Sequence, residues 1–377
     1  MSETLRQPGE YLGLGPLASV EQISAWLESL GLTVASLGNN FAGQPLLVTR
    51  RGGASGRPIV ITAGAHAGEP SGVLAALLLA RDYDFAAPTI IVPLRDPFAW
   101  QGYEPALEFA CGGDQIDDPI TDYRSSVEAL LSRGEKLHDE GGLVIAEIGG
   151  MVFATMPTED PPIGPRQLEQ AVNVALTANP ELVKRTLGKR IVFPSNAGSA
   201  EGVGDFLRAF SATIRGKGIV ADMNRGFGGP EEPAEVRLLR ELVDDVKPGL
   251  VLDLHEGQGT SYYVFVGADS PHASTREFAR EALKAMGSDG HGPVTLADLE
   301  RSFGPRIREG LTEPEPGMMV GRVQSAALEG TSFGNYCDRH CPSITLETGR
   351  WAPLADRVRW QLAGATAVLN RYQATAS

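Results

Sequence analysis

Ile59-Val60-Ile61-Thr62-Ala63-Gly64-Ala65-His66-Ala67-Gly68-Glu69-Pro70-Ser71-Gly72, running on into Val73-Leu74-Ala75-Ala76-Leu77-Leu78-Leu79-Ala80, decides the fold. Its first seven residues are apolar without alternation, as in a strand covered on both faces. The last run is apolar over helical length and has a proline near its start, so the pattern predicts a helix over 71–81. In open α/β sheets the turn between such a strand and helix is where ligands bind. His66 and Glu69 lie in that turn, three residues apart, a spacing that lets an imidazole and a carboxylate reach one metal ion.

The same pattern recurs along the chain. Strands are expected at 59–65, 89–94, 218–223, 249–254, 262–267 and 343–346, with helices at 20–30, 71–81, 233–246, 274–286 and 355–372. Their order predicts an α/β fold: a wound, mixed and mostly parallel sheet with helices on both faces. The rhythm breaks between 104 and 196, where a Gly/Asp-rich stretch at 111–118, two helix candidates, an apolar segment at 142–153 and a Pro-rich stretch at 156–165 follow one another. This region reads as a large insertion within a single catalytic domain spanning 1–377, either packed over the ligand-binding edge as a lid or substrate-restricting subdomain or a plain structural elaboration with no substrate contact.

Composition narrows the partners. A net charge of -14, with no Lys/Arg-rich run to offset it, argues against nucleic acid or an anionic membrane as a partner. Residues 1–7 have no basic-then-apolar leader pattern, and no apolar run approaches the roughly 18 to 20 residues of a membrane span. A cytoplasmic protein is expected. Cys111, Cys337 and Cys341 are too few for a disulfide framework, and Cys337-Asp338-Arg339-His340-Cys341 lacks the second pair that a structural zinc needs.

Three further strand ends carry chemistry. Asp253-Leu254-His255-Glu256 closes the apolar run at 249–252, which makes His255 a candidate third ligand beside His66 and Glu69. Asp222-Met223-Asn224-Arg225 sets a carboxylate, an amide and a guanidinium at another strand end, and Asn224 with Arg225 suits capture of a substrate carboxylate. Glu347, in Ser343-Ile344-Thr345-Leu346-Glu347-Thr348-Gly349, is placed to act as a general base. Asp253 shares a strand face with His255, two residues on, and so is a candidate to orient it.

Taken in order, His66-x-x-Glu69, Asp222-x-Asn224-Arg225, Asp253-x-His255 and a late Glu347 resemble the zinc carboxypeptidase superfamily, including its aspartoacylase and succinylglutamate desuccinylase branch. The resemblance runs from about residue 38 to the end and leaves the insertion unmatched. It implies one Zn²⁺ per chain on His66, Glu69 and His255, with Glu347 as the base that activates water. Asn224 and Arg225 would hold the substrate carboxylate, and Asp222 would orient a ligand imidazole. Relatives polarise the scissile carbonyl with an arginine upstream of the Asn-Arg pair; Arg208 and Arg215 are the candidates here, and Arg215 lies nearer in sequence to Asp222. Relatives also carry a mobile tyrosine upstream of the base, for which Tyr336 is the candidate, although its spacing departs from the pattern. Pro93-Leu94-Arg95-Asp96-Pro97 is a second departure, standing where many relatives have an Asn-Pro turn.

The function this implies is hydrolysis of an amide bond in a small carboxylate-bearing substrate, a peptide or an N-acyl amino acid. Only about thirty residues, 348–377, follow Glu347 and read as one closing helix, which favours a carboxypeptidase architecture over the deacylase branch with its added C-terminal β domain. The local motifs Gly68-Glu69-Pro70-Ser71-Gly72 and Asp222 to Phe227 look more like the deacylase versions, so N-acyl amino acid deacylation stands as the alternative. A non-catalytic binding protein on the same scaffold would have lost a ligand or the base, and both are present. A nucleotide-binding oxidoreductase would need a glycine-rich turn after its first strand, and Gly13-Leu14-Gly15-Pro16 has no strand before it.

Overall fold

The computed structural model describes residues 19–116, 118–120, 123–156, 165–194, 208–229, 231–268, 270–321 and 330–376. The strands are β1 (Val34–Asn39), β2 (Pro45–Arg51), β3 (Ile59–Ala63), β4 (Thr89–Val92), β5 (Glu135–Glu140), β6 (Leu143–Ile148), β7 (Met151–Thr155), β8 (Arg190–Pro194), β9 (Ala209–Arg215), β10 (Ile219–Asp222), β11 (Leu250–Gly257), β12 (Tyr262–Gly267), β13 (Leu311–Glu315), β14 (Met318–Gly321) and β15 (Ser343–Gly349). The α-helices are α1 (Val20–Ser29), α2 (Pro70–Asp82), α3 (Pro97–Trp100), α4 (Tyr103–Ala110), α5 (Tyr123–Arg133), α6 (Pro165–Ala178), α7 (Pro180–Thr186), α8 (Ala234–Val246), α9 (Ser274–Met286), α10 (Leu296–Phe303), α11 (Phe333–Cys337) and α12 (Leu354–Ala376). The glycine pair Gly13 and Gly15, most of the Pro-rich stretch and the residues just before Arg208 lie outside the described residues.

The main sheet runs β1-β2-β4-β3-β11-β15-β12-β14-β13. Its centre, β4, β3, β11 and β15, is parallel, as the unalternating apolar runs imply. Its flanks are mixed: β1, β2 and β4 pair antiparallel, as do β15 with β12 and β13 with β14. Helices cover both faces. Ile59, Ile61, Leu250, Leu252, Leu254, Ile344 and Leu346 share one core with α2, α9 and α12. Val60, Val92 and Val251 face the other way and share a core with α8 and α11.

Two expectations change in detail. The strands at 249–254 and 343–346 run on to Gly257 and Gly349, so His255 and Glu347 lie within strands. The cause is their mutual pairing, which continues in register from Val251↔Ser343 through His255↔Glu347 to Gly257↔Gly349. The strand expected at 218–223 forms as β10, but in a second sheet of order β10-β9-β8-β7-β6-β5. That sheet contains the strands of the 104–196 region and continues past it to Asp222. The apolar segment there is a hairpin, β6 and β7, turned at Gly149-Gly150, both with positive φ. Residues of one face of this sheet, among them Ile145, Ala212 and Ile214, pack on α6 and α7; Ala146, Phe153 and Val192 of the other join the main core.

The turn after β3 is fixed by close approaches. Gly64 has φ +65°, and a Cβ there would lie 2.8 Å from Leu94 and 3.0 Å from Val73. Gly72 lets α2 close on β11: its Cβ would meet the Leu254 carbonyl oxygen at 2.5 Å. Glu256 then fastens the helix start, accepting from Ser71 N at 2.6 Å while its other oxygen pairs with Arg357 of α12. Both side chains of that pair are fully buried. Gln361, also on α12, donates to the His255 carbonyl at 2.6 Å. Replacing Arg357 by methionine strands the Glu256 carboxylate, so Arg357→Met should lower unfolding free energy by about 3–5 kcal/mol. Urea denaturation measures this, and a loss below about 1 kcal/mol would mean the pair is not a lock.

Candidate active site

Where β3 gives way to α2 and β11 runs alongside, three side chains converge. His66 Nδ1 lies 2.8 Å from Glu69 Oε1, and His255 Nδ1 lies 2.9 Å from Glu69 Oε2. One ligand atom from each of the three lies within 4.8 Å of the others. The two far imidazole nitrogens also face carboxylates: His255 Nε2 is 2.9 Å from Asp253 Oδ2, while His66 Nε2, which makes no hydrogen bond, lies 3.5 Å from Asp222 Oδ1. Each ring therefore turns Nδ1 inward and Nε2 toward an orienting carboxylate, the arrangement that fixes tautomer and basicity in metal-binding histidines. Phe210 of β9 stacks on His66 with ring centroids 5.6 Å apart.

Charge favours a cation here. Burial opposes protonation of both histidines, yet Glu69 and Asp222 hold His66 above its ordinary pKa, and Asp253 and Glu69 hold His255 well above it. Burial also works against ionised Glu69 and Asp253, but the imidazoles outweigh it at Glu69, and His255 and Arg95 outweigh it at Asp253, so both fall below the usual carboxylate range. Arg95 neutralises Asp253, donating from Nη1 at 3.0 and 2.9 Å to its two oxygens. Two imidazole nitrogens and a carboxylate oxygen converging in a buried pocket are an N₂O donor set of the kind zinc takes, so the residues present fit the metal the motif implies.

Support for the cluster extends inward. Thr62 Oγ1 donates to Asp253 at 2.6 Å. The Arg95 fork also donates from Nη2 to Asn224 Oδ1 at 3.2 Å, and the guanidinium lies over Phe333 and Phe227, 4.6 and 5.5 Å from their ring centres. Phe333 N donates to the same Asn224 oxygen at 3.3 Å. With its oxygen thus occupied, Asn224 turns its amide nitrogen toward His255, 3.5 Å from Nε2.

Glu347, paired in register with His255, is buried, and its Oε2 has no partner. Burial raises its pKa to about 7; His255 pulls it down, and Glu69 pushes it up. Tyr263 sits opposite it on β12, and a Cβ at Gly257 would meet the Tyr263 hydroxyl at 1.7 Å and Glu347 Oε2 at 3.1 Å. All of this opens into a cavity of about 1000 Å³ lined by His66, Glu69, Asn224, Arg225, His255, Tyr263, Glu347 and Arg350. Gln170 of α6, from the 104–196 region, also lines it, as do Phe303 and Leu311. A smaller recess of about 70 Å³ adjoins Asn224, Arg225 and Glu347 and has Asn335, Asp338, Ser343 and Thr345 along its wall.

The solved structures that this chain resembles are metallopeptidases and carboxypeptidases. A candidate metallopeptidase of Shewanella denitrificans OS217 is 14% identical, with 93% of this chain and 90% of that one covered at a TM-score of 0.48. Carboxypeptidase A of Helicoverpa armigera is 13% identical, with 100% and 78% covered at 0.47. A metallo-carboxypeptidase of Burkholderia cenocepacia is 14% identical, with 96% and 71% covered at 0.45. No family model matches the sequence, and no curated protein does. What the chain does is therefore read from its own side chains.

His66, Glu69, Asp222, Asn224, Arg225, Asp253, His255 and Glu347 are brought together. The other three sequence candidates are placed elsewhere. Arg215 ends β9 beside Gly226, where Glu231 and Glu232 are the charges it feels, and it does not line the cavity. Arg208 stacks 3.5 Å from the centre of the Trp100 ring, and burial lowers its pKa to about 9. Tyr336 packs in the core under α8, and its hydroxyl donates to Asp244 at 2.5 Å. Three residues that sequence reasoning did not select do reach the site: Arg95, Tyr263 and Arg350. Arg95 lies in the stretch Pro93-Leu94-Arg95-Asp96-Pro97, which the sequence marked only as a departure from the pattern. Tyr263 and Arg350 had no signal short of the strand pairing. Because Asp253 orients His255, Asp253→Asn should weaken metal binding about 10- to 100-fold, read by competition with a chromogenic chelator. Unchanged affinity would mean that the ring holds its position without it.

Proposed function

We propose that this chain is a metal-dependent amidohydrolase of the zinc carboxypeptidase type. Its substrate is a small molecule in which the amine side of the scissile amide carries a carboxylate. The observation that carries this reading is the pairing of His255 with Glu347 on adjacent parallel strands, which sets a buried base beside the three-ligand cluster. His66, Glu69 and His255 would hold one Zn²⁺, which when bound supplies a Lewis acid and lowers the pKa of water toward ~7.

The chain's own residues supply the rest. Glu347, with its pKa raised to about 7, takes a proton from the attacking water and returns it to the leaving nitrogen. The water oxygen adds to the carbonyl carbon, the carbon–nitrogen bond breaks, and the amine departs with the proton. Arg225 and the Asn224 amide face the same cavity and would take the carboxylate of that amine. The recess of about 70 Å³ beside them suits a short side chain on the leaving amino acid, and the cavity of about 1000 Å³ leaves room for the acyl portion. Small peptides and N-acyl amino acids both fit this description.

A screen of zinc-loaded protein against dipeptides and N-acyl amino acids, read by mass spectrometry, should detect release of a free amino acid. No release from either class would sink the proposal. Glu347→Gln should keep its zinc and lose turnover by roughly 100-fold or more; near-normal kcat would reassign the base. His255→Ala should lose metal by elemental analysis, and full occupancy would remove it from the ligand set. Arg225→Ala should raise KM for carboxylate-bearing substrates far more than for their amidated analogues, and equal effects would end its anchoring role.

A further inference from the structure

Amide hydrolysis puts a negative charge on the carbonyl oxygen as water adds, and preorganised donors aimed at that oxygen lower the barrier. The sequence resemblance seeks this donor upstream of Asn224. Neither upstream candidate lines the cavity: Arg208 lies on Trp100, and Arg215 lies beside Gly226.

Another guanidinium does line it. Arg350 follows β15 by one residue, three positions after Glu347. Its backbone is pinned, because Arg350 N donates to the Gly257 carbonyl at 3.0 Å and Trp351 N donates to the Gly259 carbonyl at 3.1 Å. The tight turn at Gly349, where a Cβ would lie 2.3 Å from the Gly259 carbonyl oxygen, leaves this loop little freedom. Arg350 Nη2 sits 3.8 Å from Glu69 Oε1, close enough for attraction and too far for a hydrogen bond. Its Nε is buried without a partner. The fork thus lies beside the ligand cluster, within ion-pair reach of Glu69, and its Nε makes no hydrogen bond. Arg225, by contrast, spends Nη1 on the Asn224 carbonyl at 2.9 Å and borders the small recess, which Arg350 does not.

We propose that Arg350 is a catalytic residue: its guanidinium donates to the carbonyl oxygen of the scissile amide and holds the negative charge that develops there. The assignment rests on the hydrolytic reading above and moves the oxyanion donor from the region before Asn224 to the turn after the base. In the step itself the water oxygen bonds to carbon, the carbonyl π electrons move onto oxygen, and Glu347 takes the water proton. Arg350 takes no part in the proton transfers.

The test uses full-length, zinc-loaded protein with two probes: the best amide substrate from the screen, and its phosphonate analogue, whose tetrahedral oxygens imitate the oxyanion. Arg350→Ala should lower kcat by about 10²–10³ with KM little changed. Calorimetry should find phosphonate affinity reduced by a similar factor and affinity for the released amino acid unaltered. Arg350→Lys, which keeps the charge and loses the fork, should recover part of both losses, and zinc content should equal that of the parent in each variant. Arg350→Ala with kcat and phosphonate affinity within about threefold of the parent overturns the assignment. Equal weakening of phosphonate and amino acid would make Arg350 a general anion binder and also overturns it. A zinc-loaded parent that neither cleaves an amide nor binds the phosphonate overturns the hydrolytic reading, and this assignment falls with it.

Discussion

Everything at the site depends on β11 lying between β3 and β15 with all three strands parallel. Parallel pairing delivers the same end of each strand to one edge, and side chains alternate faces with a period of two. Thr62, Asp253, His255 and Glu347 are therefore neighbours on one face, although 285 positions separate the first from the last (347 minus 62). The strand that follows β3 in sequence, β4, lies on its opposite side from β11, so the chain diverges at this point and leaves the gap that the turn carrying His66 and Glu69 fills. A one-residue slip of β11 would send Asp253 and His255 into the apolar core around α12 and put Leu254 at the metal-binding face.

The polar groups at this edge form layers of decreasing solvent contact. Arg95 is the innermost and is almost wholly buried; it balances Asp253 and orders Asn224 through one planar fork. The two phenylalanine rings over its guanidinium offset part of the cost of burying that charge. A second buried pair, Glu256 with Arg357, serves the neighbouring position on β11, tying the helix that follows Glu69 to the C-terminal helix. Adjacent residues of one strand thus serve opposite faces: His255 the chemistry, Glu256 the scaffold.

Much of this was legible in the sequence. The unalternating apolar runs marked β3, β4, β11 and β15, and the residues closing them, His66, Glu69, His255 and Glu347, carry the cluster. What could not be read was anything set by pairing between distant segments. The second sheet escaped because β5 is polar, and because Asp222 seemed to end a strand of the main sheet when β10 belongs to the other. Arg208 and Arg215 were judged by their distance along the chain from Asp222, but Arg215 stands at the turn between β9 and β10, outside the cavity lining, and Arg208 lies against Trp100. Tyr336 was selected as the tyrosine before the base; Tyr263, much farther off in sequence, is the one set opposite it by antiparallel pairing.

The cluster spans two sheets. All three candidate ligands come from the edge of the main sheet, but the ring stacked on His66 belongs to β9, and the carboxylate behind its Nε2 belongs to β10. An ion held by His66 in this orientation therefore favours the arrangement in which the two sheets are docked. Linkage then requires that whatever free energy the ion gains from docking, docking gains from the ion. The metal would act as a structural cross-brace as well as a reagent, and the stability of the second sheet would rise and fall with metal supply.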